Sequence, residues 1–462
     1  MKKHRYILFF SLIALLLLNF IPYNVNGTPN SGVPIDEITS ILWTWNSSSQ
    51  NNILKLQDYE KSSDYFFSCV LGQDPDLTNN LTVLLSSGSV YWNNFTISSK
   101  FTSIDIDDIT GDSLPEIVVG TEDDGLIVFN VTSMAIPIWN KPLLKNITSV
   151  KIENMSVAPG KEIVVFNDDK LAVYFNNGSL FWEKLLPAGS KVSDDSYCIT
   201  DLNLDNYLDI IYGGKSELIA LNGLNQSIIW NNSLNYNISS IKCADIDNNK
   251  IKDILIGSYG NISRFNGSNG HKIWSFTGSI EMSLSADVEN ILTLECASDI
   301  GQEIIFTSVN YTGGAWPIIY KLNSSGELIQ STILGIGDAN ITNLVAGDIN
   351  GDGNIELVSA DTFGQVITWS CCGDLVWNYT FNSPINSMIM GFVNFDNIPD
   401  ILVNTNDSFI TAIGIPLGTI DYSFFLIGIG VGAGIFVVSM ILVFFLIKKI
   451  KPIQKNSKNI KN

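Results

Sequence analysis

Tryptophan recurs along this chain at a nearly constant interval, and that interval limits the possible folds more than any composition figure. Trp43, Trp92, Trp139, Trp182, Trp230, Trp274 and Trp377 each sit in a short β-prone segment: ILWTWN, SVYWNN, PIWNK, LFWEK, IIWNN, KIWSF and LVWNY. The gaps are 49, 47, 43, 48 and 44 residues, then a double interval of 103 whose middle holds GELIQST, with Gln330 at the tryptophan's place. A period of this size marks a chain built from one supersecondary unit that must stack on its neighbours to bury its apolar face.

Each unit reads as four strands. LTVLLSSGSVYW, LAVYFNNGSLFW, LIALNGLNQSIIW and ISRFNGSNGHKIW are pairs of β-rich runs around an Asn/Gly/Ser turn, the pattern of a hairpin. A second hairpin precedes each one, with an acidic loop as its turn and EIVVG, DIIYG, DILIG or ELVSA as its exit strand. Four strands repeated eight times predict an all-β chain, an eight-bladed β-propeller over residues 28–418. The last unit has three strands, ending at 409–414, and ILWTWN is a fourth strand with no unit before it. Pairing the two closes the ring with the N-terminal strand and removes the open sheet edges.

The acidic loops carry the candidate chemistry. DINGDGNIELVS, residues 348–359, opens like an EF-hand loop, but its twelfth residue is Ser359 and its last acid comes early, at Glu356. Four loops share one pattern, with oxygen side chains at positions 1, 3, 5 and 9. These are Asp348, Asn350, Asp352 and Glu356; Asp201, Asn203, Asp205 and Asp209; Asp245, Asp247, Asn249 and Asp253; and Asp108, Thr110, Asp112 and Glu116. The carbonyl of position 7, in Asn354, Tyr207, Ile251 or Leu114, supplies a further oxygen. Hard oxygen donors at alternate positions of a curling loop predict Ca2+, bound irregularly and acting first as a structural clamp. Asp, Asn and Gly also make good turns, but turn preference alone does not require oxygen at four fixed positions in four copies. The copies 154–162 and 295–303 each lack one oxygen side chain, and 56–64 and 392–400 begin with Leu56 and Phe392, so no metal is predicted there.

The motif D-x-[DN]-x-D-G-x-x-[DE] followed by an apolar strand resembles the FG-GAP/VCBS repeat, the calcium-loop propeller repeat of integrin α-chain heads. The tryptophan hairpins, such as FNGSNGHKIW, are similar to the pyrroloquinoline-quinone-like repeat of eight-bladed quinoproteins. Together the resemblances cover residues 36–416. The first implies calcium in the loops and a binding role outside the cell; the second implies a quinone-dependent dehydrogenase. Quinoproteins of that kind cover their cofactor with a disulfide between adjacent cysteines, and Cys371-Cys372 is such a pair. It lies in the turn of WSCCGDLVW, on the face of the acidic loops and opposite the face where a quinone enters, so a disulfide or exposed thiols in a tight turn is the preferred reading. Cys69, Cys198, Cys243 and Cys296 are available for disulfides whose connectivity sequence leaves open.

The chain ends place these units. A basic start, an apolar run from Tyr6 to about Ile21 and small residues near Gly27 predict a signal peptide over 1–27, a retained anchor being the alternative. Residues 423–447 carry no charge and are long enough to cross roughly 30 Å of hydrocarbon as a helix. Lysines crowd the following 448–462, which predicts a cytoplasmic tail and a single-pass protein with its propeller outside. Gly428, Gly430, Gly432 and Gly434 are spaced for close helix approach, a route to a homodimer.

Of the chain's 26 Lys and Arg, nine lie at the two ends, against 46 Asp and Glu in all. Such an acidic exterior argues against nucleic acid as a partner and favours cation binding. Dense Asn-x-Ser/Thr sequons from Asn46 to Asn406 fit a glycosylated surface. With two histidines, His4 and His271, a histidine-based triad or zinc site has little to work with. The sequence therefore predicts a cell-surface binding protein, not an enzyme, with an extracellular protein or glycan as partner. The quinone-dependent dehydrogenase and a structural surface-layer subunit are the alternatives.

Overall fold

The computed structural model describes residues 40–46, 67–73 and 79–414, apart from 98, 132–135, 143, 188, 215, 279–286, 297–300, 311–315, 334–339 and 394–397. All its regular elements longer than one turn are strands. They form seven four-stranded antiparallel sheets and one three-stranded sheet. Six of the four-stranded blades are consecutive meanders over 101–141, 147–185, 197–233, 238–276, 289–333 and 341–380. The seventh, the closing blade, joins Ile385–Gly391, Asp400–Thr405 and Phe409–Gly414 to the N-terminal strand Ser40–Asn46, with Ser40 opposite Gly414 and Trp43 opposite Ala412.

The ring therefore closes through the N-terminal strand, as the incomplete last unit predicts. The expectation of eight equal four-stranded blades is corrected. Seven blades are complete, and the sheet of Phe67–Gln73, Asn79–Leu85 and Val90–Ile97 has three strands. The acidic loop at 56–64, the signal peptide at 1–27, the apolar run 423–447 with its glycines and the tail 448–462 all lie outside the described residues. Among the described residues no helix is long and apolar enough to cross a membrane.

Burial along each blade follows strand position. The second strands EIVVGT, DILIGS, ELVSAD and DILVNT are buried at every residue, because each has a strand on either side and a neighbouring sheet on both faces. The outermost strands LFWEKL, IIWNNS and LVWNYT repeat one pattern in which the tryptophan alone is fully buried. One apolar cluster fills each junction around the ring.

The periodic tryptophan is the link between blades. Six of the seven indoles reach across a junction and donate Nε1–H to a backbone carbonyl of the next sheet. Trp43 bonds Ser86 O (2.7 Å), Trp92 bonds Val131 O (2.8 Å) and Trp139 bonds Asn176 O (2.8 Å). Trp182 bonds Gly223 O (2.7 Å), Trp230 bonds Gly267 O (2.7 Å) and Trp274 bonds Ser324 O (3.1 Å). The ring needs a flat surface to lie on: Trp230 covers Gly270, whose φ is +71° and where a Cβ would come within 2.8 Å of the indole.

Two junctions depart from the rule. Gln330 stands in for tryptophan against Gly373. Trp377 has no hydrogen-bond partner among the described residues, and the closing blade it faces takes its outer strand from the N-terminus.

Trp182 is 5% exposed and belongs to the cluster between the 147–185 and 197–233 blades. Trp182→Ala removes a large core side chain and an interblade hydrogen bond, and should cost about 3–5 kcal/mol. Denaturant unfolding measures it; a loss under about 1 kcal/mol would contradict the linking role.

Candidate functional site

In an antiparallel meander the turn from first to second strand and the turn from third to fourth emerge on the same side. The acidic loops and the tryptophan hairpins therefore share one face, here called the loop face. All four predicted loops sit there and have one wiring. The position 1 carboxylate caps amides further along the loop: Asp108 accepts from Gly111 and Ser113 (both 2.7 Å), and Asp348 accepts from Asp352 (3.1 Å) and Gly353 (2.8 Å). Asp201 accepts from Asp205 (3.2 Å) and Asn206 (2.9 Å), and Asp245 from Asn249 (2.9 Å) and Lys250 (2.7 Å).

The position 5 oxygen takes the amide of position 7, pairing Asp112 with Leu114, Asp205 with Tyr207, Asn249 with Ile251 and Asp352 with Asn354. At position 3, Asn203 and Asn350 accept from the position 5 amide (both 2.9 Å). Thr110 occupies that position in its own loop.

The residues between these oxygens are conformational. Positions 4 and 6 are left-handed in every copy: Gly111 and Ser113, Leu204 and Asn206, Asn248 and Lys250, Gly351 and Gly353. That alternation curls the loop and explains why glycine and asparagine recur at these two positions.

Position 9 has a role that sequence reasoning missed. Its carboxylate begins the second strand, is almost fully buried, and accepts the amide of position 2. Glu116 bonds Ile109 (3.0 Å), Asp209 bonds Leu202 (3.0 Å), Asp253 bonds Ile246 (3.3 Å) and Glu356 bonds Ile349 (3.2 Å). The same bond recurs in the copies where no metal is predicted, between Glu162 and Met155, Glu303 and Cys296, and Asp400 and Val393 (each 2.8 Å). An acid at position 9 is thus a staple of the blade whether or not the loop holds an ion. Its persistence in the otherwise degenerate copies was the available signal.

Burial has an electrostatic consequence. Desolvation first, with help from Asp112 and Asp108, pushes Glu116 up to about 7. Desolvation, then Asp352 and Asp348, does the same to Glu356, also to about 7. Asp209 is pushed up to about 6, chiefly by desolvation, with Asp205 and Asp201 adding to it. Among the described residues no salt bridge reaches the acids of these three loops.

The 245–253 loop differs. The guanidinium of Arg264 lies 2.6 Å from both Asp247 Oδ2 and Asp253 Oδ2. Asp253 is also raised, by desolvation above all, with Arg264 working against the rise.

Calcium is testable against these donors. Three loops offer unneutralised carboxylate, amide or hydroxyl, and carbonyl oxygens, which suit a hard divalent cation. Thr368 Oγ1, fully buried on the strand beside Glu356, has no hydrogen-bond partner among the described residues. Among the described residues no three Asp, Glu, His or Cys side chains converge into a ligand group, so an ion would depend on the Asn, Thr and carbonyl oxygens as well. The 108–116, 201–209 and 348–356 loops fit a cation; 245–253 already contains one.

The cysteines also differ from the adjacent-pair arrangement. Cys371 is bonded to Cys296, and Cys198 to Cys243, each bridge crossing between neighbouring blades. Cys372 is a free, exposed thiol, and the side chain of Cys69 lies outside the described residues. No disulfide joins Cys371 to Cys372, since the position 2 residue of the preceding blade's loop reaches Cys371 first. His271 is exposed in its hairpin turn, where its amide bonds Asn269.

No family model and no curated protein matches the chain. Solved propellers match it in fold. BamB from Moraxella catarrhalis aligns at 12% identity and a TM-score of 0.55, over 82% of this chain and 100% of that one. A quinohemoprotein alcohol dehydrogenase from Pseudomonas putida aligns at 9% and 0.54, over 83% and 77%. BBS1N, solved in complex with ARL6DN, aligns at 14% and 0.50, over 70% and 94%. At such identities the likeness is one of fold alone.

A pH dependence follows from the raised acids. Between about pH 4.5 and 7 the folded protein keeps protons on Glu116 and Glu356 that the unfolded chain has released, so these groups make stability fall as pH rises through that window. In calcium-free buffer the melting temperature should drop from about pH 5 to about pH 7.5, and the double variant Glu116→Gln, Glu356→Gln should flatten the drop. A rise over that range, unchanged in the variant, would contradict the assignment.

Proposed function

We propose that the chain is a cell-surface binding protein, an extracellular propeller held to the membrane by residues 423–447, stiffened by calcium in three loops, and recognising a protein or glycan on a neighbouring surface. Asp108, Thr110, Asp112 and Glu116, with Asp201, Asn203, Asp205 and Asp209 and with Asp348, Asn350, Asp352 and Glu356, would hold the ions, aided by the carbonyls of Leu114, Tyr207 and Asn354. When bound, calcium supplies the positive charge that lets buried and half-buried carboxylates stay ionised side by side.

The observation that carries the binding reading is where the chain leaves the ring. Ser40 pairs with Gly414 at the loop face, so both ends of the ring emerge there. Eight residues, 415–422, separate Gly414 from the apolar run and reach about 27 Å at full extension. An anchored ring thus turns its loop face toward the bilayer and leaves the opposite face open. That open face carries exposed acids in successive sheets: Glu122 and Asp123, Asp168 and Asp169, then Asp194 and Asp195. It favours a partner that presents basic groups. BBS1N in complex with ARL6DN is an instance of a propeller of this general fold engaging a protein.

The dehydrogenase reading retains the likeness of fold to a quinohemoprotein, without the adjacent-cysteine disulfide. The surface-layer reading predicts ordered arrays of the protein on cells.

Vesicles carrying the full chain test the proposal. They should adhere to cells in calcium, lose adhesion in chelator, and adhere less when Asp123, Asp168 and Asp194 are changed to Asn. Vesicles that never adhere, combined with quinone-dependent dye reduction by the purified protein, would overturn it in favour of the enzyme.

A further inference from the structure

The four acidic loops are alike in wiring but not in charge, and one side chain on the third strand separates them. We propose that Arg264 is the resident cation of the 245–253 loop, so that this loop takes no calcium while the other three do. The inference rests on the calcium reading of those three loops.

Arg264 and Arg5 are the chain's two arginines, every other basic residue among its 26 being lysine. Arg264 lies in the strand Asn261–Asn266, whose four central residues are all buried, and is itself 4% exposed. Its Nη2 is 2.6 Å from Asp247 and from Asp253, the third and ninth positions of the loop, and its Nη1 donates to Ser324 O of the next blade at 3.0 Å. The guanidinium thus takes oxygens that a metal would need. A calcium ion within ~2.5 Å of those oxygens would crowd a like charge in a poorly solvated site, so the two cations exclude one another.

Backbone register explains why only this loop of the four is filled. Arg264 stands opposite Leu255, two residues past the position 9 acid. The matching positions are Val128 opposite Val118, Ala220 opposite Ile211 and Thr368 opposite Val358. None of these side chains is charged. The next blade repeats the device more loosely: Lys321 stands opposite Ile305 and brings its Nζ to 4.0 Å from Glu303. The guanidinium reaches its two carboxylates from one nitrogen and the carbonyl of the next blade from another, a planar spread of donors that a single ammonium nitrogen does not have. The ring would then have a calcium-dependent part and a sector around Arg264 that keeps its shape in chelator.

Equilibrium dialysis of the full chain in detergent against radioactive calcium tests this. The wild type should bind one ion for each of three loops. Asp348→Asn should remove one ion and Asp245→Asn none. Arg264→Thr, which installs the residue found at Thr368, should gain one ion that Asp245→Asn then abolishes; Arg264→Ala is the second variant should the first misfold. Loss of an ion on Asp245→Asn alone, or no gain in a folded Arg264 variant, overturns the proposal.

A wild type that binds no calcium would sink the calcium reading instead. In that event a double-mutant cycle in chelator decides the role of Arg264. Asp253→Asn should restore melting temperature lost in Arg264→Met, whereas additive losses would show that the guanidinium is not the counter-ion of that carboxylate.

Discussion

A carboxylate buried at the start of the second strand in each of the seven four-stranded blades is the constraint from which much of this structure follows. It takes the amide of the second loop residue and so ties the end of the inner strand to its neighbour. Without that bond the amide would be orphaned in a dry place. With it, each blade must house a nearly inaccessible carboxyl group, which is costly unless the charge is matched or the proton retained. The copies differ in how they meet this demand. Glu162 accepts from Ser156 through both its amide and its hydroxyl. Asp253 has Arg264, and Glu303 has Lys321 at longer range. Glu116, Asp209 and Glu356 are surrounded by further acids, an arrangement that makes sense if a cation is shared among them.

Between blades a second repeated contact operates. The indole lies on a hairpin of the next sheet and donates to its backbone, so apolar burial and a directional bond fix the same junction. Where Gln330 replaces tryptophan, other links cross the same junction: the Cys296–Cys371 disulfide, and Lys321 donating to Cys371 O at 3.0 Å. The Cys198–Cys243 bridge joins the inner strands Tyr197–Thr200 and Ile238–Ala244 in a similar way. Disulfides of this kind are consistent with the extracellular placement proposed above.

Much of the fold was legible in the sequence because its cause is periodic. Tryptophan spacing locates the outer strands, turn residues separate the hairpins, and ILWTWN could only be a strand in search of a sheet. Equal blades were not guaranteed by that period, and the first sheet has three strands among the described residues. The candidate site was legible as a pattern of oxygens, but two of its determinants were hidden. Glu162, Glu303 and Asp400 look like remnants of failed metal loops until the position 2 amide is seen against them. Arg264 acts on residues 11 and 17 positions earlier through strand register, which no local motif displays. Cys296 and Cys371, 75 residues apart, meet for the same reason.

The central claim is that one loop design is completed by an external ion in three places and by an arginine in a fourth. Amide hydrogen exchange of the full chain, followed loop by loop with and without calcium, tests it most directly. Calcium should slow exchange across 108–116, 201–209 and 348–356 by roughly tenfold or more and leave 245–253 unchanged. Equal slowing in all four loops, or in none, would contradict the account.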